Sequence, residues 1–391
     1  MLKKLLAIVL LLCMAATSAS AVTYTTPDGR SVMLALGGSF VYARDTNDAL
    51  RVWGDNQFGQ LGRGNASQSY KIREFTTKSP TLDVSMLTDI ITGSDFSFMW
   101  MEDGTIWGAG NNAYLPIAAR GSFWSTHQKV DLPVKPAALA PGFGHVLLLT
   151  EDGDVYSWGR GSEYQLGTGS RKKTHTPARV GVENIVQIAA GGKFSLALDA
   201  DGQLWGWGDN EFHQLSPAEK TPFVKTPIRI DTGDIDIAYI DACGGSVVLL
   251  DTQGTLWTWG CNTHHQLGYD TKGQSVSAPR AVPLPLPVKY VAAYSSQTYA
   301  ILEDGSLWSW GNNSYGQLGQ GFRSASSVGV LPGKCWDSDV VLVQGGSLFC
   351  IAMLEDGTLL SAGISKFGQL GEGDAKSKYS LSPNGIDLIP D

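Results

Sequence analysis

Trp53-Gly54-Asp55-Asn56-Gln57-Phe58-Gly59-Gln60-Leu61-Gly62 is the stretch that decides the fold, because it recurs in seven copies along the 391-residue chain. The glycine after the tryptophan marks each copy. The markers are Gly54, Gly110, Gly159, Gly208, Gly260, Gly311 and Gly363, spaced by 56, 49, 49, 52, 51 and 52 residues. A period near 50, with turn glycines and aromatics, is the signature of a repeat array of propeller blades.

Working outward from the marker, each copy has the same parts. An apolar run ends in a glycine pair, as Ile185–Ala190 does before Gly191-Gly192. A second run, such as Ser195–Leu198, leads to an Asp-Gly turn: Asp103-Gly104, Asp152-Gly153, Asp201-Gly202, Asp304-Gly305 or Asp356-Gly357. Asp-Gly between apolar runs is a hairpin signal because both central residues tolerate positive φ. The third run ends in the marker and has period two. Trp205 and Trp207 share one face, and Leu204 and the small Gly206 share the other. A fourth run carries a proline, as in Pro177–Val180, Pro227–Ile230 and Pro279–Val282, which suits an edge strand. Four strands per copy and seven copies predict an all-β, seven-bladed propeller of antiparallel blades. The last copy ends at Leu381–Ile389 and the first has a leading run to spare, Ser31–Leu36. The expectation is therefore that the N- and C-terminal segments share one blade and leave no open sheet edge.

These blocks resemble the regulator-of-chromosome-condensation repeat over roughly residues 31–389. Copies 1, 6 and 7 keep G-Q-L-G. Copy 3 reads Tyr164-Gln165-Leu166-Gly167, copy 5 His265-Gln266-Leu267-Gly268, and copy 4 His213-Gln214-Leu215-Ser216. Copy 2 has lost the turn, as Leu115-Pro116-Ile117-Ala118, and copy 7 has Ala362 in place of the tryptophan. The resemblance implies the fold and is silent on activity, since this propeller hosts unrelated functions.

The first 21 residues read as a signal peptide. Lys3 and Lys4 form a basic start, Leu5–Leu12 an apolar core too short to span a membrane, and Ala19-Ser20-Ala21 a cleavage site. The expectation is a secreted protein, periplasmic or extracellular, whose single domain runs over residues 22–391. Without Lys3 and Lys4 the chain keeps 27 basic and 37 acidic residues. An acidic chain without a basic stripe points away from nucleic acid and from anionic membranes. Arg171-Lys172-Lys173 reads as a solvated loop tip. Four cysteines remain, and spacing leaves their pairing open, including Cys335 with Cys350. Cys243 and Cys261 flank one hairpin and are the first candidates for a pair, and free buried thiols inside a propeller are an equal alternative.

No motif for catalysis, metal or cofactor stands out. His264-His265 lacks further ligands, the Asp-Gly pairs are turns, and neither a nucleophile elbow nor a phosphate loop occurs. The expectation is no enzyme, no cofactor, no metal and a monomer. The informative set is aromatic. Four residues after the marker stand Phe58, Tyr114, Glu163, Phe212, His264, Tyr315 and Phe367. Equivalent loops lie on one face, so Phe58, Tyr114, Phe212, Tyr315 and Phe367 either pack under their own loops or form a contact surface for a protein partner. Trp124, beside Phe123 in a polar stretch outside any strand pattern, is a further candidate. The preferred reading is a secreted protein-binding module. It resembles the propeller-type β-lactamase inhibitory proteins of bacteria, which share the repeat and an export signal. The alternatives are an exchange factor for a small GTPase, like the family's founding member, and a glycan-binding or hydrolytic propeller. A carboxylate pair in the central funnel would mark the last of these.

Overall fold

The computed structural model describes residues 20–114, 121–216 and 221–390. Seven antiparallel sheets follow one another along the chain as blades 1 (22–74), 2 (87–129), 3 (138–179), 4 (185–230), 5 (237–281), 6 (288–336) and 7 (340–387). Six of the sheets have four strands and blade 1 has five. Within a blade the strands lie in sequence order.

Blade 4 shows how the repeat folds. Ile185–Ala190, Phe194–Asp199, Leu204–Asp209 and Phe223–Ile230 pair in turn. The Asp-Gly turn sits at one end of the sheet, where Gly202 takes φ +80°. The marker Gly208 faces Phe194 at the other end. Gly208 has φ +105°, and a Cβ there would stand 2.7 Å from the Lys193 carbonyl, so only glycine fits. A register shift between Gly206 and Gly208 then releases the chain into the Asn-x-x-Gly-Gln-Leu-Gly loop. Trp207 is fully buried, whereas Trp205 on the same face is half-buried. On the other face a Cβ on Gly206 would come 2.6 Å from Leu215 and 2.7 Å from Ile230. Large-on-small packing of this kind lets neighbouring sheets interlock, and Trp53, Trp158, Trp207, Trp259 and Trp310 are the largest side chains of the cores between blades. The proline-bearing fourth runs all lie in the outermost strands.

The ring does not close by a shared blade. Ser31–Leu36 pairs with Phe40–Arg44 inside blade 1, and all four strands of blade 7 come from residues 340–387. Closure is a seventh blade-to-blade joint instead. Leu36 N–H donates to Gln344 Oε1 at 2.9 Å, Thr46 N–H to the Leu388 carbonyl at 3.0 Å, and Trp53 Nε1–H to the Gln369 carbonyl at 3.0 Å. An extra strand, Val22–Thr25, covers the inner edge that Ser31–Leu36 would otherwise expose. Of the signal segment, residues 1–19 lie outside the described residues. Ser20 and Ala21 are buried, with Ala21 N–H on the Ile90 carbonyl at 2.7 Å. The four described cysteines are unbridged, Cys243 and Cys261 included. Burial raises the thiol pKa of Cys243, Cys335 and Cys350 and keeps them protonated.

Candidate functional site: the marker-loop face

The loops that follow the marker glycines all emerge at the end of the blade opposite the Asp-Gly turns. Their conserved-looking letters are structural. Asn56 Nδ2 donates to the Asn65 and Ser67 carbonyls at 3.0 Å, and its Oδ1 accepts from Leu61 N–H at 2.9 Å. Asn210, Asn262 and Asn313 repeat the bond to the leucine. Gln60 Oε1 accepts from Phe58 N–H at 2.9 Å, and the same bond pins Glu163, Phe212, His264, Tyr315 and Phe367. With its backbone tied inward, the side chain at that position is turned outward.

The glutamine also joins blades. Its carbonyl accepts the indole N–H of the next blade's tryptophan: Trp207 to Gln165 at 2.9 Å, Trp259 to Gln214 at 2.8 Å and Trp310 to Gln266 at 3.0 Å. Two blades lack the tryptophan, with Ala109 in blade 2 and Ala362 in blade 7. At both joints a tyrosine hydroxyl from the preceding blade takes over. Tyr42 donates to the Gln60 carbonyl at 2.9 Å and Tyr299 to the Gln317 carbonyl at 2.8 Å. Tyr42 and Tyr299 occupy one repeat position, filled by Phe98, Leu147, Leu196, Val248 and Ile351 in the other blades. Each loss of an indole donor is thus matched by a hydroxyl at the same carbonyl.

The predicted aromatics stand at equivalent places on this face. Phe58 is 39% exposed, and Tyr114 and Tyr315 are each 44% exposed, while Phe212 and Phe367 are half-buried. Tyr114 and Phe212 lean on the following blade, and Tyr114 and Phe367 each lie under a cation. Tyr114 lies 3.0 Å from where a Gly144 Cβ would be, with the Arg160 guanidinium 5.3 Å over its ring. Phe212 similarly covers Gly245, and Lys366 lies 5.2 Å over Phe367. Trp124 corrects an expectation: it lies in the strand Phe123–Lys129, paired with Gly110, and packs half-buried against the core of blades 2 and 3. Its indole N–H is buried without a partner. The broken turn Leu115-Pro116-Ile117-Ala118 lies outside the described residues.

Three features were not legible in the sequence. Tyr164, His213 and His265 replace the loop glycine in blades 3, 4 and 5, yet keep its left-handed backbone, with φ 63°, 57° and 57°. An L-residue in that conformation carries a penalty of about 1–2 kcal/mol. Phe143 is 45% exposed near the ring axis, in the first turn of blade 3. Arg171 is no free loop tip: its Nε donates to the Ser162 carbonyl at 2.6 Å, and its guanidinium lies over Tyr164 and Phe223.

The axis itself is tight. A cavity of about 40 Å³ is lined by the first-turn glycines Gly93, Gly142, Gly191 and Gly244 with Phe143 and Tyr294, and no carboxylate lines it. A wider hollow of about 630 Å³ lies at the Asp-Gly face of blade 5, among Asp231, Asp234, Asp236 and Asp251. Asp251 there is occupied by its own turn, accepting from Thr255 N–H at 2.8 Å and Trp257 Nε1–H at 2.9 Å. Among the described residues no group of three or more His, Cys, Asp or Glu could hold a metal ion. No described helix is long and apolar enough to cross a membrane.

A seven-fold ring of such blades, latched tryptophan to glutamine, defines a propeller built to display loops. The RCC1-like domain family matches residues 125–391, and the chain belongs to that family. It is 27% identical to the ultraviolet-B receptor UVR8 of Arabidopsis thaliana, over 90% of this chain and 81% of that protein. It is 28% identical to the human RCC1-like G exchanging factor-like protein, over 73% of this chain and 68% of that one. It also matches the human E3 ubiquitin-protein ligase HERC2 at 28% identity, but spans only 7% of that protein's length. Among solved structures, yeast RCC1 (Prp20) bound to Kap60 superposes with a TM-score of 0.69 at 24% identity, covering 82% of this chain and 79% of that one.

Proposed function

We propose that the protein is an exported protein-binding module whose marker-loop face is the contact surface. The observation that carries this is the set Phe58, Tyr114 and Tyr315. One repeated glutamine bond fixes the backbones of Phe58 and Tyr315, Tyr114 leans on Gly144 under the Arg160 guanidinium, and all three rings stay about two-fifths exposed. Rigid, half-exposed aromatics on a stiff scaffold lose little entropy on binding and are typical interface anchors. Protein binding is also what the solved yeast relative shows, with Kap60 bound. No carboxylate lines the small axial cavity, which speaks against the hydrolytic reading. Export follows from the basic start, short apolar core and Ala19-Ser20-Ala21, and puts the mature N-terminus at Val22. Exchange on a small GTPase is the second reading, favoured by the human relative's name. It requires faster nucleotide release in the protein's presence, and none is expected.

The test is site-specific photo-crosslinking in the producing cells. A crosslinking residue at Phe58 or Tyr315 should trap a partner, and one at Gln253 or Asp103 on the Asp-Gly face should not. Adducts from the Asp-Gly face alone would overturn the reading. N-terminal sequencing of the mature protein checks export: a start at Val22 supports it, and an intact Met1 removes it.

A further inference from the structure

The marker-loop face is not uniform: between blades 6 and 7 Arg323 lies over one ring, Tyr379, at 5.7 Å, whereas between blades 3 and 4 the equivalent Arg171 lies over two. Tyr164 and Phe223 meet at a tilt across the joint between blades 3 and 4, with centroids 6.0 Å apart. Arg171 Cζ lies 5.6 Å from the first ring and 5.3 Å from the second, and Lys225 Nζ lies 5.9 Å from Tyr164. The Arg171 Nε is tied to the Ser162 carbonyl, so the guanidinium is held in place. Its two terminal nitrogens bond to no described residue. The adjoining Lys172 and Lys225 are exposed, while the exposed Lys173 reaches back to the Ala113 carbonyl of blade 2 at 3.4 Å. Among the described residues no acid pairs with any of these four cations, whereas the nearby Arg160 is matched by Glu163 at 2.9 Å.

We infer that this cluster is a docking site for a carboxylate-rich segment of a partner protein, an inference that rests on the loop face being the contact surface. Three observations carry it. A guanidinium fixed by its Nε and by two rings presents a pre-organised fork that matches a carboxylate. Arg171, Lys172 and Lys225, with no acid partner among the described residues, concentrate positive charge on a chain of net charge −8 and so complement acid. Finally, Tyr164 holds its ring there at a left-handed φ where copies 1, 6 and 7 have glycine, so the site is kept at a cost to the backbone. Single-stranded nucleic acid is the poorer fit. It needs open ring faces for base stacking, and cations cover both rings here.

The probe is a short synthetic peptide repeating Glu-Glu-Phe, read by fluorescence anisotropy against the mature protein. A Gln-Gln-Phe peptide and an oligothymidylate of similar length serve as comparisons. The acidic peptide should bind, weaken as salt rises, and exceed both comparisons. Arg171→Ala with Lys225→Ala should weaken it by about tenfold or more. Arg171→Lys keeps the charge and loses the fork, and should give an intermediate loss. Lys135→Ala with Lys289→Ala, at the Asp-Gly end of blades 3 and 6, should change nothing. Melting curves keep any misfolded variant out of the comparison. No binding, equal affinity in the Arg171 variants, or tighter binding of the oligothymidylate would each overturn the inference. If that happens while crosslinks still come from Phe58 or Tyr315, this docking site falls and the loop-face reading stands. Crosslinks confined to the Asp-Gly face remove both.

Discussion

Blades 3 to 5 and blades 6, 7 and 1 use one loop design for different ends. In the second arc Gly316, Gly368 and Gly59 take φ between 75° and 78°, and the next blade's outer strand sits directly on Gly316 and Gly59. A Cβ on Gly316 would come 2.7 Å from the Tyr379 Cα, and one on Gly59 2.3 Å from the Ser125 Cα. In the first arc the same backbone carries Tyr164, His213 and His265. The ring therefore tolerates strain on one side and closes up on the other. Strained residues concentrate where surrounding structure holds them for function. The difference teaches that the loop glycine is a packing residue in one arc and a displaced one in the other.

Both arcs depend on the blade joints, and the largest effects are expected there. Trp207→Ala empties a fully buried site and strips the Gln165 carbonyl of a donor, and should cost about 3–5 kcal/mol or more. At the joint of blades 6 and 7 the hydroxyl does the indole's work. Tyr299→Phe should therefore cost about 1–3 kcal/mol through the unpaired Gln317 carbonyl alone. Denaturant melts of the two variants check this. A Tyr299→Phe protein as stable as wild type would show that the hydroxyl is no substitute latch.

A swap of loop residues between arcs comes next. His213→Gly should hold or raise the melting temperature, since it removes a left-handed penalty of about 1–2 kcal/mol at an exposed side chain. Gly316→His should lower it sharply, because the added Cβ meets backbone. A destabilised His213→Gly would dissolve the contrast between the arcs.

The smallest difference is set by pH. His145 in blade 3 bonds Ser195 Oγ of blade 4 at 3.0 Å, and burial lowers its pKa to about 3. The equivalent residue in blade 6 is Gln297, which cannot titrate and donates to the Gly346 carbonyl of blade 7. His145 is neutral when folded, while the unfolded chain takes up its proton below about 6.5. Its stabilisation is thus whole above that value and shrinks as pH falls toward 3. Asp89, with a pKa pushed up to about 7 by burial, acts in the opposite sense, so a single variant is the clean readout. The wild-type melting temperature should fall more steeply from pH 7 to pH 5 than that of His145→Gln. Parallel profiles would contradict this.

The strands, turns and seven-fold count were legible because they are local: an Asp-Gly turn or a Trp-x-Trp run needs only its neighbours. The joints were not, because Trp207 bonds a carbonyl 42 residues upstream and the donor for Gln317 sits earlier in its own blade. Closure was misread for the same reason. The spare run Ser31–Leu36 finds its partner in the adjacent hairpin, and Val22–Thr25 supplies the extra edge. Trp124 looked like a loop residue because its strand, Phe-Trp-Ser-Thr-His-Gln-Lys, is polar on its outer face. The position of the loop aromatics was legible from the motif, but their lean onto the next blade was not. Arg171 appeared as one of three like charges, and its two ring partners come from different blades.

The most direct test measures how tightly Phe58→Ala, Tyr114→Ala and Tyr315→Ala bind the crosslinked partner, beside their melting temperatures. With the loop face as the contact surface, the melts stay near wild type and at least two variants lose about 2 kcal/mol or more of binding. Melts far below wild type with undiminished affinity would make these rings core residues and contradict the account.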